Sequence, residues 1–483
     1  MILHVNHTRR DSAVPTTSEV VETLLGLLEE GTLEPTQYAR IQVHLDWIQY
    51  RHNFREPVSV TRVPGCRDDN AVPLEIRIDG RQAAPGSLRE LVRGALKPIA
   101  PEVVPGPGRI HLEDFCSFRR SVAWEFNRLY WSRLKDWEQA TGRDYEKALP
   151  GGQSDAHHPQ SITDSVGDFW TLLKDLQSRN QLPEEVFVLE MGVGTGTRAG
   201  MWLDRFLALD QQRETKFYPR LRFLLGDYSL ATLERSRAAV KNHLDQCSFI
   251  ALDALDPIRT LSFLRHKILH VHSSNMYDNL PDEEIERRDG RIFWVQVRAY
   301  LPTAEAARIG EACDVPVSQI AKTVNRLLDV GPECLPDHSR GVQFWQEIWA
   351  ALRLEERMVA VEDLQDSPFP AALNSAQLDD ILSEAPSDLR FQLSSGALES
   401  FRNTLPLLHP RGYLQVQDIF VTDLNEYSMG FHGPGKLEGS IVNWVNGALL
   451  REVAERAGYD LHFAPFPYRP GSRTSVLYTT QRE

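Results

Sequence analysis

Cysteine is scarce in this chain. Five residues in 483 (Cys66, Cys116, Cys247, Cys313 and Cys334) are spread widely, odd in number and never in a C-x-x-C pair. That usage excludes a disulfide framework and a zinc knuckle and fits reduced thiols. No His/Cys/Asp grouping has metal-ligand spacing, so no metal is expected. Long apolar runs are missing too. None approaches the ~18 residues of a membrane span. The start, "MILHVNHTRRDSAVPTTSEV", turns to charge and proline too early for a secretory signal, so a cytoplasmic protein without a membrane partner is expected. Positive charge is also short. A net charge of -14 lacks the basic surface with which a general nucleic-acid binder displaces counterions. Internal repeats and low-complexity tracts are absent.

What is present is a globular composition, 42% hydrophobic and 25% charged, on a chain long enough for two or three domains. Residues 17 to 54 read as helical, with Gly31 as a stop, and "PLEIRIDGRQ" reads as a strand and turn. "PIAPEVVPGPGR" carries four prolines and two glycines and reads as a linker. It sets off an N-terminal α+β module, 1–105, from a mainly helical, aromatic-rich segment, 106–182. From 183 to 302 apolar strands alternate with amphipathic helices, which predicts a parallel sheet covered on both faces. A charged, mainly helical insertion, 303–390, interrupts the alternation. It resumes over 391–483 and ends in two strands joined by "RPGSR".

The chemistry concentrates in "VFVLEMGVGTGTRAG", Val186 to Gly200. A glycine loop between a strand and a helix lets backbone approach a ligand and leaves helix N–H groups free to bond it. Three ligands are weighed. Gly194, Gly196 and Ala199 fit the dinucleotide pattern G-x-G-x-x-A, which would make the chain an NAD-dependent oxidoreductase. Separately, "GFHGPGKL" has P-loop spacing, but Leu437 stands where a magnesium-binding Ser or Thr is needed. The third reading accounts for more residues. Glu190 precedes Gly192, Gly194 and Gly196, and Asp227 and Asp253 close the next two predicted strands. This constellation resembles motif I and the following acids of class I S-adenosylmethionine-dependent methyltransferases.

The order of later segments is similar to the MidA-like family of these enzymes, which includes mitochondrial complex I assembly methyltransferases. "SSNMYDNLPDEEIERRDGRIFWVQVRAYLP" resembles that family's N-E-hydrophobic-hydrophobic-D-A-L-P segment and the two-strand excursion after it. "LRFQLSSGALESFRNTLPLLHPRGYLQVQDI" is similar to its late helix and fifth strand, and "GPGKLEGSIVNWVNGALLREVAERAGYD" to its last helix entry. "IHLEDFCSF" echoes its opening helix, so the resemblance covers roughly 109 to 483. It implies a doubly wound, mostly parallel Rossmann-like α/β sheet with an antiparallel last strand. It further implies S-adenosyl-L-methionine as cofactor and a protein side chain or small molecule as methyl acceptor. Asn275, Asp278, Leu280 and Pro281 match, whereas the family's acid after the asparagine is Met276. Family members of known activity methylate protein arginine, and Met276 removes an acid that would orient a guanidinium.

The resemblance implies cofactor contacts from Glu190, Gly192, Gly194, Gly196, Asp227 (ribose hydroxyls), Asp253 (adenine amino group) and Ala254, with Tyr228 against the adenine face. Methyl transfer needs a positioned nucleophile and a proton acceptor. Polar groups at the carboxyl ends of the strands, Asn275, Tyr277 and Asp278 with Gln417 and Asp418, are the candidates. His272 joins them, being nearer the strand end than His270. His157 and His158 fall in a loop before the sheet, and Trp124, Phe126, Tyr130, Trp131 and Trp137 read as packing. The other function weighed is a methyltransferase-like binding or assembly factor without turnover. The composition is compatible with a homodimer.

Overall fold

A computed structural model describes residues 2–6, 17–33, 35, 40–46, 52–62, 74–79, 87–96, 108–149, 151–361, 380–383, 385, 388–429 and 433–482. Most of the expected linker, Gly80 of the first predicted turn and 430–432 of the P-loop-like segment lie outside them.

Seven strands form the central sheet: β1 (Val186–Met191), β2 (Leu221–Asp227), β3 (Cys247–Ala251), β4 (Ile268–Ser274), β5 (Leu408–Asp418), β6 (Tyr459–Pro465) and β7 (Ser475–Gln481). Their order is β6-β7-β5-β4-β1-β2-β3. Neighbours from β3 to β5 pair in parallel, and β7 runs antiparallel to both β5 and β6. This is the expected doubly wound, mostly parallel Rossmann-like sheet with an antiparallel last strand. β1 reads as a continuous apolar run because both its faces are covered. On one face helices Pro159–Ser178 and Thr197–Arg213 bury Phe169, Trp202 and Phe206. On the other, Ser395–Thr404 and Gly447–Arg456 bury Leu398, Phe401, Leu449 and Leu450. The strand order reverses at β1, between β4 and β2, and open α/β sheets bind ligands in the crevice at such a point.

A second sheet grows from the β4 crossover. Strand Glu284–Arg288 turns back into Arg291–Pro302 through Asp289 and Gly290, both at positive φ (48° and 71°). The 303–390 stretch supplies three helices, Thr303–Cys313, Ile320–Val330 and His338–Ala351, but is not helical throughout. Arg353–Ala360 is a strand paired with 293–300, and Leu389–Gln392 pairs with Glu284–Arg288. Charge masks these strands in the sequence, because a sheet edge tolerates polar residues that helix patterning also produces. Trp124, Phe126, Tyr130 and Trp137 lie in the core beneath this sheet with Trp345 and Trp349.

The N-terminal residues form a four-stranded sheet with helices Thr17–Glu29 and Leu88–Leu96. The expected helix over 17 to 54 is corrected. It ends before Gly31 (φ 72°), and Ile41–Asp46 is a parallel strand whose alternate residues Ile41, Val43 and Leu45 are buried. Period-two burial, unreadable beside the helical pattern before it, decides the element.

This sheet is joined to the second one by buried charge. Glu75 meets Arg77 at 2.7 Å and Arg288 at 2.9 Å; Arg390 meets Glu284 at 2.6 Å and Glu356 at 2.8 Å; Arg55 and Arg77 reach Glu356 and Glu286. Burial raises the Glu75 carboxyl, but Arg77, Arg288 and His44 outweigh it and hold it at about 2, against 4.5 when free. The folded value is depressed, so this stability is fully present above about pH 4.5 and is lost as pH falls toward 2. The shift corresponds to about 3 kcal/mol. Melting followed at pH 6 and pH 3 should show the N-terminal module destabilised by that order in the wild type, and Glu75→Gln should remove most of the difference.

Candidate functional site

β1 ends in Glu190 and Met191, and the next ten residues turn from strand to helix. Gly192, Gly194 and Gly196 take φ of 69°, 54° and 75°, a region that side chains disfavour by roughly 1–2 kcal/mol. Two of the glycines differ in what they face. A Cβ on Gly196 would sit 2.8 Å from Cα of Ser236, so the loop is pressed against helix Leu230–Ala239. A Cβ on Gly194 would meet nothing within 4 Å. That glycine opens onto free space beside the N-terminus of helix Thr197–Arg213, where unpaired N–H groups favour a polar ligand.

The acids of the motif take different positions. Glu190 is buried and paired with Arg198, Nη1 to Oε2 at 2.8 Å, tying the strand tip to the first turn of the helix. Burial pushes the Glu190 carboxyl up and the Arg198 guanidinium down, and the pair opposes both shifts. Asp227 ends β2 and accepts the N–H of Ser229 at 2.9 Å together with those of Gly194 and Tyr228. Burial still dominates and raises its carboxyl to about 6. Asp253 lies one strand further on, exposed, with Oδ1 accepting the Leu255 N–H at 2.9 Å. The Leu252 N–H donates to the Asp227 carbonyl, so the two strand ends are stitched together. Ala254 is half-buried against the apolar core, and Tyr228 is 44% exposed with its hydroxyl donating to the Arg128 carbonyl at 3.1 Å.

After β4 the chain makes a tight loop. Asn275 adopts φ 48° and its N–H donates to the Gln417 carbonyl. Asp418, at the end of β5, holds this loop. Its Oδ2 accepts the N–H groups of Tyr277 (2.9 Å) and Asp278 (3.3 Å), and Oδ1 accepts that of Ile419 (2.8 Å). Burial pushes both carboxyls up, and the neighbouring Asp418 raises Asp278 further. Backbone donors favour the ionised form, so Asp418 keeps the charge. Asp278, whose side chain accepts from Asn279 Nδ2 (2.8 Å) and from its own backbone N–H, takes the proton. Asn279 is itself gripped by Asn127 and Trp131 of the 106–182 segment, at 3.0 and 3.2 Å.

The remaining candidates lie apart from this loop. The Tyr277 ring is packed in the apolar core. His270 and His272 share the face covered by helix Pro159–Ser178, His270 stacking on Tyr413 at 4.5 Å; burial drives both rings well below their usual value, and they are neutral. His272 stands opposite Glu190 and Gln415 at 1% exposure, with no approach from outside. Lys436 of the P-loop-like segment is turned into the protein. Its Nζ donates to the carbonyls of Trp349 and Leu352 at 2.6 and 2.7 Å, capping the helix that ends at Ala351.

Sequence reasoning missed the acid that reaches the glycine loop from the 106–182 segment. The turn Tyr145–Ala148 puts Glu146 Oε1 3.0 Å from Thr195 Oγ1, and His157 Nδ1 is 3.2 Å from the other carboxylate oxygen. His157 is thus a partner of the loop rather than a solvated residue, whereas His158 caps helix Pro159–Ser178. Arg235 and Glu138 add a tie at 2.8 Å. Among the described residues no group of side chains could hold a metal ion, and no helix is long and apolar enough to cross a membrane.

No known family model and no curated protein matches this chain. Among solved structures, a Burkholderia thailandensis protein with S-adenosyl-homocysteine bound overlays at 12% identity and a TM-score of 0.45, covering 76% of this chain and 88% of its own. An O-methyltransferase family protein from the same organism overlays at 11% identity and a TM-score of 0.28, covering 74% and 71%. The fold rests on the strand order described above.

Proposed function

We propose that this chain is an S-adenosylmethionine-dependent methyltransferase acting on a protein side chain or a small molecule. The observation that carries the reading is the glycine loop at the sheet's switch point, open at Gly194, with carboxylates on the next two strand ends. When bound, S-adenosylmethionine supplies a methyl group activated by its sulfonium. The loop backbone and the helix N-terminus hold the ligand. Asp227 accepts its ribose hydroxyls, Asp253 its adenine amino group, and Tyr228 and Ala254 wall the base. Glu190 serves this set through Arg198, which pins the loop to the strand tip. Asn275 positions the acceptor. Asp278, protonated when unliganded, acts once ionised: its carboxylate takes the proton that the acceptor atom gives up as it is methylated. His272 and Tyr277 shape the layer beneath.

Calorimetric titration with S-adenosylmethionine and with NAD(H) separates this reading from an oxidoreductase. Micromolar binding of the first alone, about -8 kcal/mol, is expected; binding of NAD(H) alone, or of neither, overturns it. The pH dependence adds a signature. A carboxylate that accepts hydroxyl donors binds better ionised, so affinity should be full well above pH 6, where Asp227 is charged, and fall as pH drops through 6. Asp227→Asn should flatten that slope.

A further inference from the structure

The glycine-loop pocket is served by one more residue, which comes from outside the sheet. We propose that Glu146 binds the ammonium of the ligand's amino-acid half, an assignment that rests on the S-adenosylmethionine reading above.

The case is one of elimination among the acids around the loop. Glu190, the acid of the motif itself, is committed to Arg198 at 2.8 Å inside the protein. Its charge is balanced before any ligand arrives. Asp227 is bonded into the backbone of its own turn and of Gly194, and Asp253 lies beyond it on the next strand end. Glu146 differs from these. It reaches Thr195, the residue between Gly194 and Gly196, at 3.0 Å, and its side chain keeps 28% exposure. The carboxylate is therefore bonded to the residue next to the glycine whose Cβ direction is empty. Burial raises its carboxyl, but His157, Thr195 and Arg235 together hold it below its ordinary value, so it is charged at neutral pH.

A carboxylate beside a glycine loop recognises a cationic group; S-adenosylmethionine carries two, a sulfonium and an α-ammonium, and S-adenosylhomocysteine keeps only the α-ammonium, which isolates it in the test. Glu146 also lies on the segment that is tied to the surroundings of the loop, Trp131 to Asn279, Glu138 to Arg235 and the Arg128 carbonyl to Tyr228.

The test compares S-adenosylhomocysteine with 5′-methylthioadenosine, which keeps the nucleoside and thioether but has no amino-acid end. Both are titrated calorimetrically into the wild type and Glu146→Gln. The amide preserves the hydrogen bond to Thr195 and removes the charge. The expected result is a roughly tenfold loss of affinity for S-adenosylhomocysteine, the scale of one hydrogen bond to a charged group, with methylthioadenosine unchanged. If both ligands weaken by the same factor, or neither weakens, Glu146 is only a structural latch and the proposal fails. If the wild type binds neither, the pocket reading itself fails, an outcome distinct from the other two.

Discussion

Gly194→Arg is expected to lower S-adenosylmethionine affinity by more than 100-fold while leaving the protein folded. The position faces free space, so the new side chain meets no protein atom at its Cβ. The folded state bears the cost of a side chain at φ 54°, roughly 1–2 kcal/mol. The guanidinium then occupies the opening of the loop and places a cation where a cationic ligand would lie. Calorimetric titration beside a thermal melt checks this: affinity should collapse and the melting temperature should move by only a few degrees. A much larger fall in melting temperature would mean that Gly194 is a packing residue. The contrast is Gly196, where even a methyl group would strike Ser236 at 2.8 Å and the damage should be to folding.

Asp278→Asn should reduce methyl transfer by about 10²–10⁴-fold, the usual contribution of a general acid–base group, with S-adenosylmethionine affinity retained. The amide keeps the shape and the bond from Asn279 but cannot exchange a proton. The wild-type rate should rise with pH through a value well above the ordinary carboxylate range, because burial and the neighbouring Asp418 push the Asp278 carboxyl up. Once an acceptor is in hand, a pH–rate profile of the wild type and the variant measures both effects. An unchanged rate would remove Asp278 from the chemistry. Asp418 is expected to act differently. Its carboxylate accepts the backbone of the 275–278 loop and of Ile419, so Asp418→Ala should loosen the loop and lower stability and turnover together.

Much of the central sheet was legible in the chain. β1, β2, β3 and β4 are short apolar runs, the first two each followed by a helical pattern, and local periodicity reports that arrangement without tertiary knowledge. The loop was legible for the same reason: glycines at alternate positions after a strand state a backbone requirement. The N-terminal strand Ile41–Asp46 was not legible, because six alternating residues beside a strong helix do not outweigh its period. The charged strand Arg353–Ala360 was read as helix because its partner lies about 60 residues away in the chain.

The site divides along the same line. Which residue types are available was set by the sequence: an acid at the strand tip, three glycines, and acids closing the next two strands. Their electrostatic state was decided by the tertiary structure. Glu190 looks like a free ligand acid until Arg198 is seen beside it, and Asp278 and Asp418 look alike until the backbone donors are counted. Glu146 and His157 carry no motif at all. They reach the loop from 49 and 38 residues upstream of Thr195 only because the cover segment folds back over it. Charge state and reach depend on burial and on neighbours far along the chain, and local pattern records neither.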